Sequence, residues 1–204
     1  MRIAVIGAAG NLGSRIVAEA LHRGNQVTTL TRDDVDATDA HAVAQLIQGH
    51  DVGVGATRPL PGDEQSAAAV TRALLDAHGQ AGVRFIMVGG AGSLRTPDSD
   101  RLVADDPRWV PPQFAELART ATDQLALCRN DTRADWTYVT PSALMEPGLR
   151  TGDYRTGRDE LLVDDSGASY VSMEDMAVAV LDEIEQPTHR RQRFTVATMS
   201  TLTG

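Results

Sequence analysis

The hydrophobic positions of this chain fall into two alternating periods. Short apolar or β-branched runs stand at 2–6, 25–30, 51–56, 83–88, 135–140 and 193–197, with a shorter one at 169–171. Continuous apolar runs of this length are strands buried on both faces. Between them apolar residues recur at helical spacing, which predicts helices over 14–23, 39–49, 63–79, 113–130 and 173–185. In the second of these Ala42, Val43, Leu46 and Ile47 share one face and Asp39 stands in the capping position. Strands alternating with helices at this spacing specify an α/β fold, a parallel sheet with helices on both faces. Two stretches break the pattern. Residues 95–112 carry Pro97, Pro107, Pro111 and Pro112 among several aspartates and are too long for a plain connector, the mark of a lid or binding loop. Residues 146–167 are Gly-rich and charged. No internal repeat is visible, so a single domain over 1–204 is expected, with 145–204 forming a small lobe at the carboxyl edge of the sheet, where open α/β folds bind ligands.

The first strand runs directly into Gly7-Ala-Ala-Gly10-Asn-Leu-Gly13 and then into a helix. Gly7 permits the tight turn, Gly10 lets backbone N–H groups approach a pyrophosphate, and Gly13 lets the helix pack against the strand. The helix N-terminus then faces the phosphates with its partial positive charge. A strand, a glycine turn and a helix in this order point to a dinucleotide site on a doubly wound, Rossmann-type sheet.

Composition narrows the partners. Nineteen basic against 28 acidic side chains give a formal charge of −9, which disfavours nucleic acid and anionic membrane surfaces. No apolar run is long enough to span a bilayer and no leader is seen, so a soluble, cytoplasmic protein is expected. The lone Cys128 has no disulfide partner and reads as a small apolar helix residue. His22, His41, His50, His78 and His189 lack ligand spacing, so no metal site is expected. Lysine is absent altogether: every basic side chain is arginine, which rules out lysine-dependent chemistry.

With these residues in view, the chain resembles the atypical short-chain dehydrogenase/reductase proteins, the NAD(P)-binding group that includes NmrA-like sensors and flavin, biliverdin and quinone reductases. The resemblance spans nearly the whole chain. It is carried by the glycine turn, Thr31-Arg32, Val35-Asp36-Ala-Thr-Asp39, Val88-Gly-Gly-Ala-Gly-Ser-Leu94, Asp135-Trp-Thr-Tyr-Val-Thr-Pro-Ser-Ala143 and Val171-Ser-Met-Glu-Asp-Met-Ala177. It implies that Gly7, Ala8, Gly10, Asn11, Leu12 and Gly13 hold the pyrophosphate, with Asp36 and Ala37 at the adenine. Ala56, Thr57, Gly89, Gly90, Pro141, Ser142 and Ala143 line the nicotinamide side. Thr31 and Arg32 stand where relatives meet the adenosine ribose, and a guanidinium there suits a 2′-phosphate, so NADP is favoured over NAD. Asp33 and Asp34 beside it keep NAD as the alternative.

Two departures from the family pattern matter. Only three residues separate Arg32 from Asp36, so the usual third strand is expected to be missing or reduced to a stub, leaving the strand before it at the edge. The Tyr-x-x-x-Lys pair of typical members should fall near Phe114-Ala-Glu-Leu-Ala-Arg119, and neither partner is present. In that pair the lysine lowers the tyrosine pKa so that the phenol can protonate a carbonyl oxygen. An ordinary alcohol dehydrogenase or sugar epimerase is therefore disfavoured. Hydride transfer to a flavin or quinone needs no such acid, because the cofactor carries the reactive electrons. The expected activity is NAD(P)H-dependent reduction of a small planar acceptor by a monomer or homodimer; the alternative is a non-catalytic NAD(P) sensor of the NmrA-like type. Ser93, the only hydroxyl of the turn after the 83–88 strand, is the candidate to hydrogen-bond the acceptor or the carboxamide. Tyr138 is expected in the core, and Trp109 and Tyr154 against the acceptor.

Overall fold

Pleating divides each apolar run between two layers. In β1 (Arg2–Ile6) Ile3 and Val5 pack against α1 (Asn11–His22) and α5 (Met173–Glu185), while Ala4 and Ile6 face α2 (Ala40–Ile47), α3 (Ser66–Ala81) and α4 (Ala115–Asn130). β4 (Arg84–Val88) repeats the division, with Ile86 and Val88 on the first side and Phe85 and Met87 on the second. This is why the strands lack the polar alternation of a one-sided sheet. The computed structural model describes residues 1–60 and 62–199; position 61 and residues 200–204 of the expected 1–204 domain lie outside the described residues.

The remaining strands are β2 (Gln26–Leu30), β3 (Val52–Gly55), β5 (Trp136–Thr140), β6 (Leu144–Glu146), β7 (Tyr154–Gly157), β8 (Tyr170–Ser172) and β9 (Gln192–Thr198). The seven-stranded sheet has the order β2-β1-β3-β4-β5-β9-β7, with every neighbour parallel except β7, which runs antiparallel to β9. The chain is an α/β, Rossmann-like protein. Residues 31–39 are turns without a strand, and β2 lies at the sheet edge.

Residues 145–204 contribute to more than one layer. Within them β7, β9 and α5 belong to the main sheet and its covering helices, whereas β8 pairs in parallel with β6 as a separate two-stranded sheet. β7 lies inside the Gly-rich, charged stretch, where the pattern predicts no strand; its four residues are half exposed and its partner is 40 residues away, so local periodicity carries no trace of it. α2 keeps its expected cap, Asp39 accepting from the His41 and Ala42 N–H groups at 3.1 and 3.0 Å. Only Val43 and Ile47 are buried on it, and Leu46 is exposed, because a helix at the end of the sheet covers it with a narrow stripe.

The 95–112 stretch is docked rather than loose. Leu94, Val103 and Leu161 form a small core of their own against Trp109, and Arg108 ties the loop to itself through Asp98 and Asp106 at 2.7 and 2.6 Å. At the opposite, amino edge of the sheet a buried ionic network locks α5 to β4 and β5. Arg84 donates to Glu183 at 2.6 Å, and Glu183 also accepts from His189 and Thr188. Among the described residues no helix is long and apolar enough to cross a membrane, and no group of three or more His, Cys, Asp or Glu side chains is placed to hold a metal ion.

Candidate functional site

The glycine turn sits where β1 meets its neighbours on both sides. The Gly7 and Ala8 N–H groups donate to the Leu30 carbonyl at 2.9 and 3.3 Å, and Gly10 N–H donates to Gly7 O at 3.0 Å. Gly7 has φ +86°, and a Cβ there would lie 2.5 Å from the Ala56 carbonyl oxygen, so both the left-handed backbone and the close approach of β3 require glycine. A Cβ on Gly13 would run into the Gly7 carbonyl, so Gly13 sets how near α1 comes to the turn. Asn11 and Leu12 complete the first turn of α1.

That first turn is electrostatically open. Gly10 is the N-cap, no side chain caps the helix, and no acidic residue lies in the first turn. Most helices satisfy these N–H groups with a Ser, Thr, Asp or Asn side chain. Uncapped N–H groups, a cradle of three glycines and no competing carboxylate fit a dinucleotide pyrophosphate.

The residues expected at the adenosine follow the end of β2. Thr31 donates through N and Oγ1 to Asp34 Oδ2 at 2.8 and 2.7 Å, and Thr38 donates likewise to Asp36 Oδ1 at 2.9 and 2.8 Å. These bonds from neighbouring backbone and hydroxyl groups hold both carboxyls below the usual range. Asp34 and Asp36 are thus turned onto their own loop and leave Arg32 alone. The Arg32 guanidinium is exposed, donates to the Arg58 carbonyl at 3.2 Å and makes no ion pair among the described residues. Arg58, which the sequence pattern did not single out, brings its backbone carbonyl to Arg32 and is itself exposed; its only signal was its position just after Ala56 and Thr57. Ala37 is partly buried against the α2 and α3 layer.

Of the residues expected at the nicotinamide, Ala56, Thr57, Gly89, Gly90 and Ala143 are half buried at the carboxyl ends of β3, β4 and β5, and Pro141 is buried. Ser142 is 2% exposed and its hydroxyl donates to the Val196 carbonyl at 2.9 Å, fastening the chain after β5 to β9. Ser93 follows in a short turn of 3₁₀ helix. Its Oγ donates to Gly90 O at 3.2 Å and accepts from Arg193 Nη1 at 3.1 Å. A hydroxyl has one proton, so Ser93 reaches an acceptor as a donor only by giving up Gly90.

Two of the three phenols are hydrogen-bonded inside the fold. Tyr138 is fully buried with its hydroxyl on the Ala121 carbonyl at 3.0 Å, and burial pushes its pKa up. Tyr154 donates to Asp182 at 2.6 Å on the α5 side of the sheet and is likewise raised, by burial and by that carboxylate. Tyr170 lies on β8, where burial and then the charges of Glu146, Glu174 and Asp175 raise it. Arg119 is committed to Asp105 at 2.9 Å on the surface of α4. Trp109 belongs to the small core around Leu94.

Comparison with known proteins agrees with this geometry. A family profile described as NAD(P)H-binding matches residues 7–187. The Bacillus subtilis (strain 168) protein YwnB, itself uncharacterized, is 35% identical over 208 residues, covering 96% of this chain and 98% of its own. Among solved structures, a Burkholderia pseudomallei protein assigned as exported is 37% identical with a TM-score of 0.87, covering 97% of this chain and 99% of its own. A Streptococcus pneumoniae TIGR4 protein assigned as an NADH-flavin reductase is 27% identical with a TM-score of 0.88, covering 98% and 100%. The open helix terminus, the glycine cradle and these likenesses agree: the chain belongs to the NAD(P)H-binding family of atypical short-chain dehydrogenase/reductase proteins.

Proposed function

We propose that the protein is a cytoplasmic NAD(P)H-dependent reductase that delivers hydride to a planar acceptor of the flavin or quinone class, with NADP(H) as the preferred nucleotide. The observation that carries this reading is a well-formed nucleotide cradle in a chain with no lysine to activate a tyrosine, two of whose three phenols, Tyr138 and Tyr154, are hydrogen-bonded inside the fold. The bound cofactor supplies the hydride and the electrons. The chain's task is to bind, orient and exclude water, and an acceptor whose reduced form takes its proton from water needs nothing more. Apolar groups suit such an acceptor. Leu60, Phe114 and Leu144 are each about half exposed, on the segments that leave β3, enter α4 and follow β5. The Streptococcus likeness supports the same acceptor class.

The nucleotide preference rests on Arg32, which lies at the end of β2 without a carboxylate partner and beside Arg58. A forked cation favours a dianionic 2′-phosphate over a neutral hydroxyl. The test follows NADPH and NADH absorbance with FMN, FAD and a series of quinones. Enzyme-like turnover with one acceptor class upholds the reading. Tight nucleotide binding with no turnover on any of them replaces it with the NAD(P) sensor.

A further inference from the structure

A cavity of about 430 Å³ opens beside α4. It lies between Thr122, Leu125 and Arg129 of α4, the chain around Arg95 and Leu102, and Asp159 with Arg193 across from them; of the residues assigned to the nucleotide and acceptor it shares only Ser93. Its size is that of a small-molecule site, which runs roughly 300–1,000 Å³. Its walls are preformed by backbone bonding across three segments. Arg95 N–H donates to Asp159 O at 2.9 Å, Leu161 N–H to Arg95 O at 2.8 Å, and Val103 N–H to Leu94 O at 2.9 Å.

The lining is basic in a chain whose formal charge is −9. Arg95, Arg129 and Arg193 stand against one carboxylate, Asp159. The Arg193 side chain is 4% exposed, so its charge is out of water, yet the acid that balances it is 54% exposed at the mouth. Arg193 donates to Asp159 Oδ1 through both Nε and Nη2, and Arg129 donates to that same oxygen at 3.1 Å. Among the described residues Arg95 pairs only with Asp100, which is almost fully in solvent. Two guanidinium forks therefore already converge on a carboxylate. Below them Leu102 and Leu125 give the cavity an apolar wall, and Thr122 Oγ1 is buried on it without a hydrogen-bond partner.

We propose that this cavity is a binding site for a small organic carboxylate with an apolar body, whose carboxylate takes the place of Asp159 between Arg129 and Arg193. Planar guanidinium groups match a carboxylate in two-pronged geometry, and an apolar ring or chain covers Leu102 and Leu125. Asp159 acts as the built-in competitor: it keeps the buried Arg193 neutralised when no ligand is present and swings into solvent when one arrives. Arg193 also holds Ser93 O and Oγ at 3.2 and 3.1 Å, and Ser93 closes the turn that begins at Gly89 and Gly90. The carboxylate site thus stands against the turn expected at the nicotinamide, with Ser93 as the residue the two share.

The test is a titration of the full chain with sodium benzoate, followed by amide chemical shifts in two-dimensional NMR, in the unaltered protein and in Arg129→Gln and Asp159→Asn. Saturable shifts are expected at Arg129, Asp159, Ser93 and Thr122. Arg129→Gln weakens binding about tenfold, the scale of one hydrogen bond to a charged group. Asp159→Asn tightens it several-fold, because the competitor is gone. Both substitutions lie at partly exposed positions. Because a general charge effect gives the same pair of signs, Arg158→Gln, an exposed charge change outside the cavity lining, is the control and is expected to leave the affinity unchanged, and a loss equal to that of Arg129→Gln overturns the proposal. Shifts that never saturate, shifts confined to the Gly7 to Gly13 turn, or affinity changes of the same sign in the two variants overturn the proposal. Inorganic phosphate binding as tightly as benzoate at equal ionic strength overturns the carboxylate class.

Discussion

At the scale of single residues, the site divides into groups that face a ligand and groups already spent inside the fold. Arg32 belongs to the first. Its replacement by alanine is expected to weaken NADPH binding by about tenfold or more while changing NADH binding little, since a hydrogen bond to a charged group contributes about 1.5–3 kcal/mol. Titration calorimetry with both nucleotides measures this, and equal losses would remove Arg32 from the 2′-phosphate. Ser93 belongs to the second group. Because its single proton is held by Gly90 O, Ser93→Ala is expected to leave kcat within about threefold of the parent, well short of the hundredfold or more that loss of an acid–base residue brings. A steady-state rate with the best flavin or quinone decides it. The glycines were legible in the sequence because a turn with positive φ and close backbone contact admits few other residues. The engagement of Ser93 was not, since its partner Arg193 is 100 residues away and no local pattern links the two.

At the scale of elements, most helices and buried strands were legible because each carries its own period: the α5 helix lies over residues 173–185 as its spacing predicts. The elements that escaped are short and held by distant partners. β6 has three residues and β7 four, and both are stable only through pairing with β8 and β9. The lid-like stretch after β4 was read from its prolines, whereas its attachment depends on Leu94, Val103 and Leu161 meeting from separate places in the chain. The link between α5 and the sheet is of the same long-range kind. Arg84 and Glu183 are 99 residues apart, and both side chains are less than a tenth exposed. Glu183→Gln is expected to cost about 3 kcal/mol, because it leaves a buried guanidinium without its counter-charge. Urea unfolding followed by circular dichroism checks the value, and a loss under about 1 kcal/mol would mean that Arg84 finds water instead.

At the scale of the whole molecule, stability should fall on the acid side in a way set by one histidine. His78 is buried on α3, donates through Nδ1 to the Leu74 carbonyl at 2.6 Å, stacks on Phe85, and has no partner for Nε2. Burial pushes its pKa down from 6.5 to about 4. The unfolded chain therefore binds a proton that the folded chain refuses between these values. The associated stability is present in full above pH 6.5 and drains away as the pH falls toward 4, by about 3 kcal/mol at about 1.4 kcal/mol per unit. Paired carboxylates such as Glu19, held down to about 2 by Arg150 and Arg23, lose their contribution only at lower pH. His78→Leu is expected to flatten the decline between pH 6.5 and 4.5; denaturation midpoints across that window measure it, and an unchanged slope would assign the decline to other groups.

The bare first turn of α1 has one further consequence. A nucleotide pyrophosphate resting there would do the work that a capping side chain does in other helices, and the folded state would be completed by its ligand. At a hundredfold excess of nucleotide over Kd, mass action adds about 2.7 kcal/mol to the free energy of unfolding. A cell depleted of that nucleotide would hold the same polypeptide in a form more easily opened and degraded, and the amount of the protein would follow the supply of its cofactor.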